Sequence, residues 1–210
     1  MISARKITAL MLILMLFASS QAFAAQVRSK KQVSKKKEVI HMSKKVLMVL
    51  AEDPFRDPEY FEPKKVLEAA GYKVITTCTA PVAKGAEGAK VKADILFKDV
   101  KASDYDAIVF IGGAGSYQYH DDAKAHELAK YASKPGKVLG AICAAVGTIA
   151  NAGVLKGKKA TSFSGVADMV KAGGAIYTGA GVTVDGNIVT ADGPRSAKAF
   201  GEALVKALAK

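Results

Sequence analysis

From residue 45 onward, apolar residues fall in short unbroken runs separated by longer amphipathic stretches. "KVLMVLA", "YDAIVFIGG" and "KVLGAI" each read as a strand buried on both faces of a parallel sheet. "YKVITTCTA" is rich in β-branched residues and reads as another strand. Between the runs, "PEYFEPKKVLEAAG" places Phe61, Val66, Leu67 and Ala70 near helical spacing and stops at Gly71. "DDAKAHELAKYAS" predicts a helix that starts on Asp and ends before Pro135, and "AAVGTIANAG" one that closes at Gly153. "GVADMVKAGG" predicts a short helix, and "SAKAFGEALVKALAK" a final amphipathic one capped by Ser196. Residues 81–101 hold a Gly-containing turn and a short, partly exposed pair of strands, "KKATSF" reads as a strand, and "GVTVDGNIVTA" reads as a hairpin about Asp185–Gly186.

Strand and helix alternate through residues 45–210, which predicts one α/β domain, a three-layer sandwich around a mainly parallel sheet. In such sheets, sites collect at the carboxyl ends of strands. The loop after Leu50, the Gly112–Gly113 loop and the loop holding Cys143 share that edge, and the Asp192–Arg195 loop borders it.

The pattern before residue 45 is of another kind. "MISARKITALMLILMLFASSQAFAAQ" has two early cations, an apolar run and an A-x-A site, the layout of a secretory signal peptide over 1–24, cut between Ala24 and Ala25. Its apolar run is short for a membrane span. A periplasmic location is therefore expected, or a cytoplasmic one if translation starts at Met42. Residues 25–44 are lysine-rich and read as a flexible basic linker, with weak contact to an acidic membrane surface as the alternative to a solvated tail. The net charge of +12 does not change this picture, because seven of those charges fall in the first 42 residues. The other lysines are scattered singly, so no nucleic-acid face is expected. Three histidines and two cysteines have no metal-ligand spacing, and neither metal nor cofactor is expected.

The candidate chemistry centres on Cys143 in "GAICAAVGTIANAG". A cysteine between a buried strand and a helix is either a small core filler or a side chain pushed outward by a tight turn. In the second case, the amide hydrogens and positive end of the following helix favour thiolate. The N–H groups of Gly113 and Ala144, with Gly112 beside them, are then placed to hold an oxyanion. Cys78 sits in a strand pattern and reads as core; a disulfide to Cys143 would need Cα atoms within about 7 Å and is not expected. His120, in "SYQYHDD" after the double glycine, is a candidate proton-transfer partner. His126 lies about 200° around its helix from Leu128 and is expected to be exposed.

"YDAIVFIGGAG", "GKVLGAICAA", "NAGVLKGKKAT" and "DGNIVTADGP" occur in the order and at the spacings of the DJ-1/PfpI (ThiJ/PfpI) family, relatives of class I glutamine amidotransferases, and residues 45–208 resemble that family. The resemblance implies a flavodoxin-like sandwich, a homodimer and a reactive cysteine at Cys143. It also implies a small-molecule electrophile as substrate, with amidase, glyoxalase-like or deglycase-like chemistry. Two positions depart from the family pattern. Ala144 stands where protease-like members have histidine, which leaves no sequence-adjacent general base and disfavours a peptidase. The family glutamate that meets the sulfur aligns with Arg56, which would stabilise a thiolate by its charge; Glu52, Asp53, Asp57 and Glu59 remain alternatives within the same loop. The other functional class is a non-catalytic redox-sensing or stress-protective dimer whose cysteine is oxidised. A basic binder rests only on the tail.

Overall fold

The computed structural model describes residues 26, 28 and 29 and residues 44–210. Gln26, Arg28 and Ser29 are helical; the expected signal peptide and the rest of the expected linker through residue 43 lie outside the described residues. Everything below belongs to the second of two compact units, His41–Lys210. No helix among the described residues is long and apolar enough to cross a membrane.

Strand β1 (Lys45–Val49) leads into helix α1 (Asp57–Ala69), which returns to β2 (Lys73–Cys78). A small excursion follows: β3 (Val82–Lys84) pairs antiparallel with β4 (Lys90–Lys92), and β5 (Ile95–Leu96) then joins β2 in parallel. Strand β6 (Ala107–Phe110), helix α2 (Ala123–Ala132), β7 (Val138–Ile142) and helix α3 (Val146–Asn151) continue the alternation. A side pair, β8 (Lys159–Ala160) and β9 (Ile176–Tyr177), flanks helix α4 (Ala167–Ala172). The hairpin β10 (Val182–Asp185) and β11 (Ile188–Ala191) precedes helix α5 (Ala197–Leu208).

The central sheet runs β10-β11-β7-β6-β1-β2-β5 and is parallel throughout except for the β10–β11 hairpin. Register sets Val49 beside both Thr77 and Phe110, so β1 and β6 end level at the carboxyl edge. Side chains alternate across this sheet with the period of two that a strand imposes. Val46, Met48, Val109, Val138 and Ile142 meet Tyr60 and Leu67 of α1 and Phe200 and Leu204 of α5. Leu47, Val49, Ile108, Phe110 and Leu139 meet Leu128 of α2, Ile149 of α3 and Val170 of α4. The result is the three-layer flavodoxin-like sandwich, with strands buried on both faces as their unbroken apolar runs required.

Some details differ from the sequence pattern. On α1, Tyr60, Pro63 and Leu67 face the core while Phe61 is 44% exposed, so the buried stripe is rotated from the one that Phe61 suggested. Ser196 occupies the N-cap position of α5 but its side chain caps nothing, whereas Asp122 caps α2 by accepting from the Ala125 amide at 2.7 Å. The β10–β11 turn is held from below, as Asn187 Nδ2 donates to the carbonyls of Lys134 and Lys137, each at 3.0 Å.

Candidate active site

β7 delivers Cys143 at the carboxyl edge, where a 3₁₀ turn over Cys143–Ala145 breaks the strand before α3 begins. Its backbone has φ 60°, the single positive value at a non-glycine residue among those described. Left-handed backbone costs an L-residue roughly 1–2 kcal/mol, a strain that native structures retain mostly at functional turns. This turn leaves the side chain half-buried, in contact with both core layers. The amides of Ala144 and Gly113 both reach the sulfur.

Glycines make that approach possible. A Cβ on Gly112 would stand 2.4 Å from Glu59 Oε2 and 2.7 Å from Cys143 Cβ. Gly113 has φ 106°, and a Cβ there would stand 2.6 Å from the Arg56 amide nitrogen. The loops are laced by backbone bonds: the Arg56 amide donates to the Gly112 carbonyl at 3.0 Å, and the Ile111 amide to that of Val49 at 3.0 Å. From the other side, the Phe163 amide donates to the Cys143 carbonyl at 3.4 Å.

The acidic partner of the sulfur is Glu59, in the first turn of α1. It is fully buried, with the Cys143 thiol and the Gly112 amide beside its carboxyl group but no well-aligned hydrogen bond to either oxygen. Burial pushes this carboxyl from the ordinary 4.5 up to about 7; the thiol, Arg56 and the Gly112 amide pull it down, and Asp192 pushes it further up. The Cys143 thiol is itself pushed up, first by burial and then by the charge of Glu59, with the Ala144 and Gly113 amides offsetting part of the effect.

These placements correct the sequence reading in several ways. Glu59, not Arg56, is the residue that meets the sulfur. Arg56 precedes α1 in extended backbone, and its guanidinium turns out to Glu87 at 3.5 Å, with its charge felt at Glu59. Glu52 and Asp53 also point elsewhere: Glu52 accepts from the Thr79 hydroxyl at 3.3 Å and Asp53 pairs with Lys84 at 3.0 Å. Asp57 accepts from the amides of Glu87 and Ala89 at 2.9 and 3.2 Å, tying down the β3–β4 turn. The expected lowering of the thiol is reversed, because burial and the negative charge of Glu59 outweigh the pull of the Ala144 and Gly113 amides.

His120 is buried, and its Nε2–H donates to the Ala144 carbonyl at 2.9 Å, bracing the backbone that presents the sulfur. The ring lies against Gly147, where a Cβ would come within 2.6 Å of Cε1. His126 is half-buried rather than exposed and donates through Nε2 to the His120 carbonyl at 2.7 Å. A signal for Glu59 was present in the sequence: it precedes Pro63 and Leu67 at four-residue steps, one stripe of a helix. Asp192, whose charge reaches Glu59, carried no comparable signal. Cys78 and Cys143 are both free thiols, and Cys78 is fully buried. Among the described residues, no group of three or more His, Cys, Asp or Glu side chains is placed to hold a metal ion.

A sequence model described as the DJ-1/PfpI family matches residues 44–207, nearly all of the domain just described. The chain belongs to the DJ-1/PfpI family. Among its relatives, an uncharacterized protein of Methanocaldococcus jannaschii is 43% identical over 170 residues, 79% of this chain and 83% of that protein. A Pyrococcus furiosus protein named as the deglycase PfpI is 32% identical over 163 residues, 77% of this chain and 98% of its own. The crystal structure of a ThiJ/PfpI domain protein from Brachyspira murdochii superposes with a TM-score of 0.75 at 39% identity, covering 78% of this chain and 95% of that one. Further proteins named as deglycases, from Pyrococcus abyssi and Pyrococcus horikoshii, match this DJ-1/PfpI protein at 32% and 33% identity.

Proposed function

We propose that the protein is a thiol-dependent hydrolase of small carbonyl compounds bonded to an amine nitrogen, with Cys143 as nucleophile and Glu59 as its general base. The observation that carries this reading is the buried carboxyl of Glu59 set against a strained, half-buried thiol, with two backbone amides converging on the same sulfur. A base is most useful when it titrates near working pH, and burial brings Glu59 to about 7. As the sulfur attacks, its proton passes to Glu59, the S–C bond forms, and the carbonyl π electrons move to oxygen. The Gly113 and Ala144 amides receive that oxyanion. The electrons then return, the C–N bond breaks, and Glu59 gives its proton to the departing nitrogen. Water next adds to the thioester, losing its proton to Glu59, and the sulfur leaves and recovers that proton. An amine and a carboxylic acid are released, and the site is restored. Arg56 contributes through its backbone bond to Gly112 and its charge near Glu59, and His120 by holding the Ala144 peptide. Assay of a panel of N-acyl amines tests the reading: turnover that disappears in Cys143→Ala supports it, and turnover that persists overturns it.

The half-exposed sulfur also favours a second reading, in which hydrogen peroxide converts the thiolate to sulfenate with release of water. Mass spectrometry after mild peroxide, with selective oxidation of Cys143 and no turnover of any amine adduct, would favour this stress-protective role. Pairing as a homodimer and export to the periplasm belong to the same proposal. They are supported by the family resemblance and the leader pattern, and are checked by light scattering and by cell fractionation.

A further inference from the structure

A cavity of about 390 Å³ is bounded by Phe163, Tyr177, Asp192, Gly193 and Arg195. Two contacts tie it to the site. The Phe163 amide holds the Cys143 carbonyl at 3.4 Å, and a Cβ on Gly193 would stand 3.9 Å from Glu59 Oε1. The cavity is bipolar. Near Glu59, Asp192 brings a second carboxylate whose Oδ1 is buried without a hydrogen-bond partner. Buried acceptors left without donors are costly, and a ligand N–H relieves that cost. At the exposed rim, Arg195 makes no ion pair among the described residues, so its forked donors are available to a planar anion. Between these poles, Phe163 is 43% exposed and forms an aromatic wall.

We propose that this cavity is the specificity pocket of the Cys143 site and takes N-substituted amino acids, with the nitrogen toward Asp192 and the carboxylate on Arg195. An acid at the inner end and a cation at the rim match a molecule that bears an N–H donor next to its reacting carbon and a carboxylate beyond it. A free aldehyde has neither handle. The inference rests on Cys143 being the nucleophile, and the following test separates the two claims.

N-iodoacetylglycine and N-iodoacetylglycinamide have the same reacting carbon and N–H, and differ only in carboxylate against neutral amide. Their rates of alkylation at Cys143, located by mass spectrometry, are compared with their rates on free cysteine. The expected result is that the protein prefers the carboxylate reagent by about tenfold over the ratio seen with free cysteine, as one charge-assisted contact allows. Arg195→Gln abolishes that preference while leaving the glycinamide rate within about twofold, and Arg195→Lys keeps part of it. Added salt weakens the preference. A ratio equal to that of free cysteine, or one unmoved in Arg195→Gln, overturns the pocket assignment while the nucleophile stands. If neither reagent labels Cys143, the nucleophile reading falls and the pocket assignment falls with it.

Discussion

Cys143 is held in left-handed backbone by neighbours that tolerate nothing larger than hydrogen. Gly112 is the tightest of these, since its missing side chain leaves the space in which the Glu59 carboxyl and the sulfur meet. Gly112→Ala should destabilise the fold by about 1–3 kcal/mol, as overpacking does. It should also displace Glu59, so that turnover falls further than the loss of folded protein accounts for; matched denaturation curves and kinetics check this. Glu59→Gln separates two effects of the carboxyl. Losing a general base should lower turnover by about 10² or more at neutral pH. Losing a negative neighbour should let the thiol ionise at lower pH, because the charge of Glu59 is one of the causes that raise it. The alkylation profile of this variant against pH should therefore shift to lower pH while turnover is lost. The cysteine was legible in the sequence because a short apolar run ends on it beside small residues. Its partner was legible only as a helical stripe: Glu59 stood among four carboxyls of one loop, and counting along that loop could not reveal which one the helix start turns inward; Arg56 and Glu59 are three positions apart, yet one faces solvent while the other faces the sulfur.

The elements carry that pair through one close helix contact. Helices α1 and α5 cross at Gly201, where a Cβ would stand 2.8 Å from Pro63 Cα and 3.1 Å from Val66 Cβ. Glu59 lies one turn before Pro63 on the same face of α1, so spacing between the helices sets where its carboxyl falls. Gly201→Ala improves helix propensity by about 1 kcal/mol yet forces backbone against side chain. The expected balance is a net loss of about 1 kcal/mol or more, with reduced turnover and an unchanged distribution of secondary structure by circular dichroism. Nearly every element was legible, since apolar runs at strand length and amphipathic stretches between them admit little else. The small strands were harder to apportion: β5 has two residues and joins the main sheet, while β3 and β4 pair apart from it. No periodicity can be read in two or three residues.

At the scale of the whole molecule, the site leaves a mark on stability that pH should expose. Glu59 holds its proton up to about 7 in the folded protein, against 4.5 when free of burial. Below the lower value the carboxyl is protonated in both states and contributes nothing to the pH dependence. As pH rises between the two values, the unfolded chain gives up this proton while the folded chain keeps it, so folding binds a proton and stability falls with pH. Above about 7 the carboxyl is ionised in both states, and the full cost of burying the charge remains. The shift corresponds to about 3 kcal/mol at most. Asp185, held low by its bond to the Lys159 amide, acts with the opposite sign and in a more acid window, so the two can be told apart. Urea unfolding of Cys143→Ala alone and combined with Glu59→Gln removes the thiol from the comparison. Without the Gln substitution the protein should lose stability between pH 4.5 and 8, while the doubly substituted one should run level; at pH 8 the double variant should be the more stable. Parallel curves across that window would mean that the buried carboxyl does not titrate there, and the general-base assignment would lose its foundation.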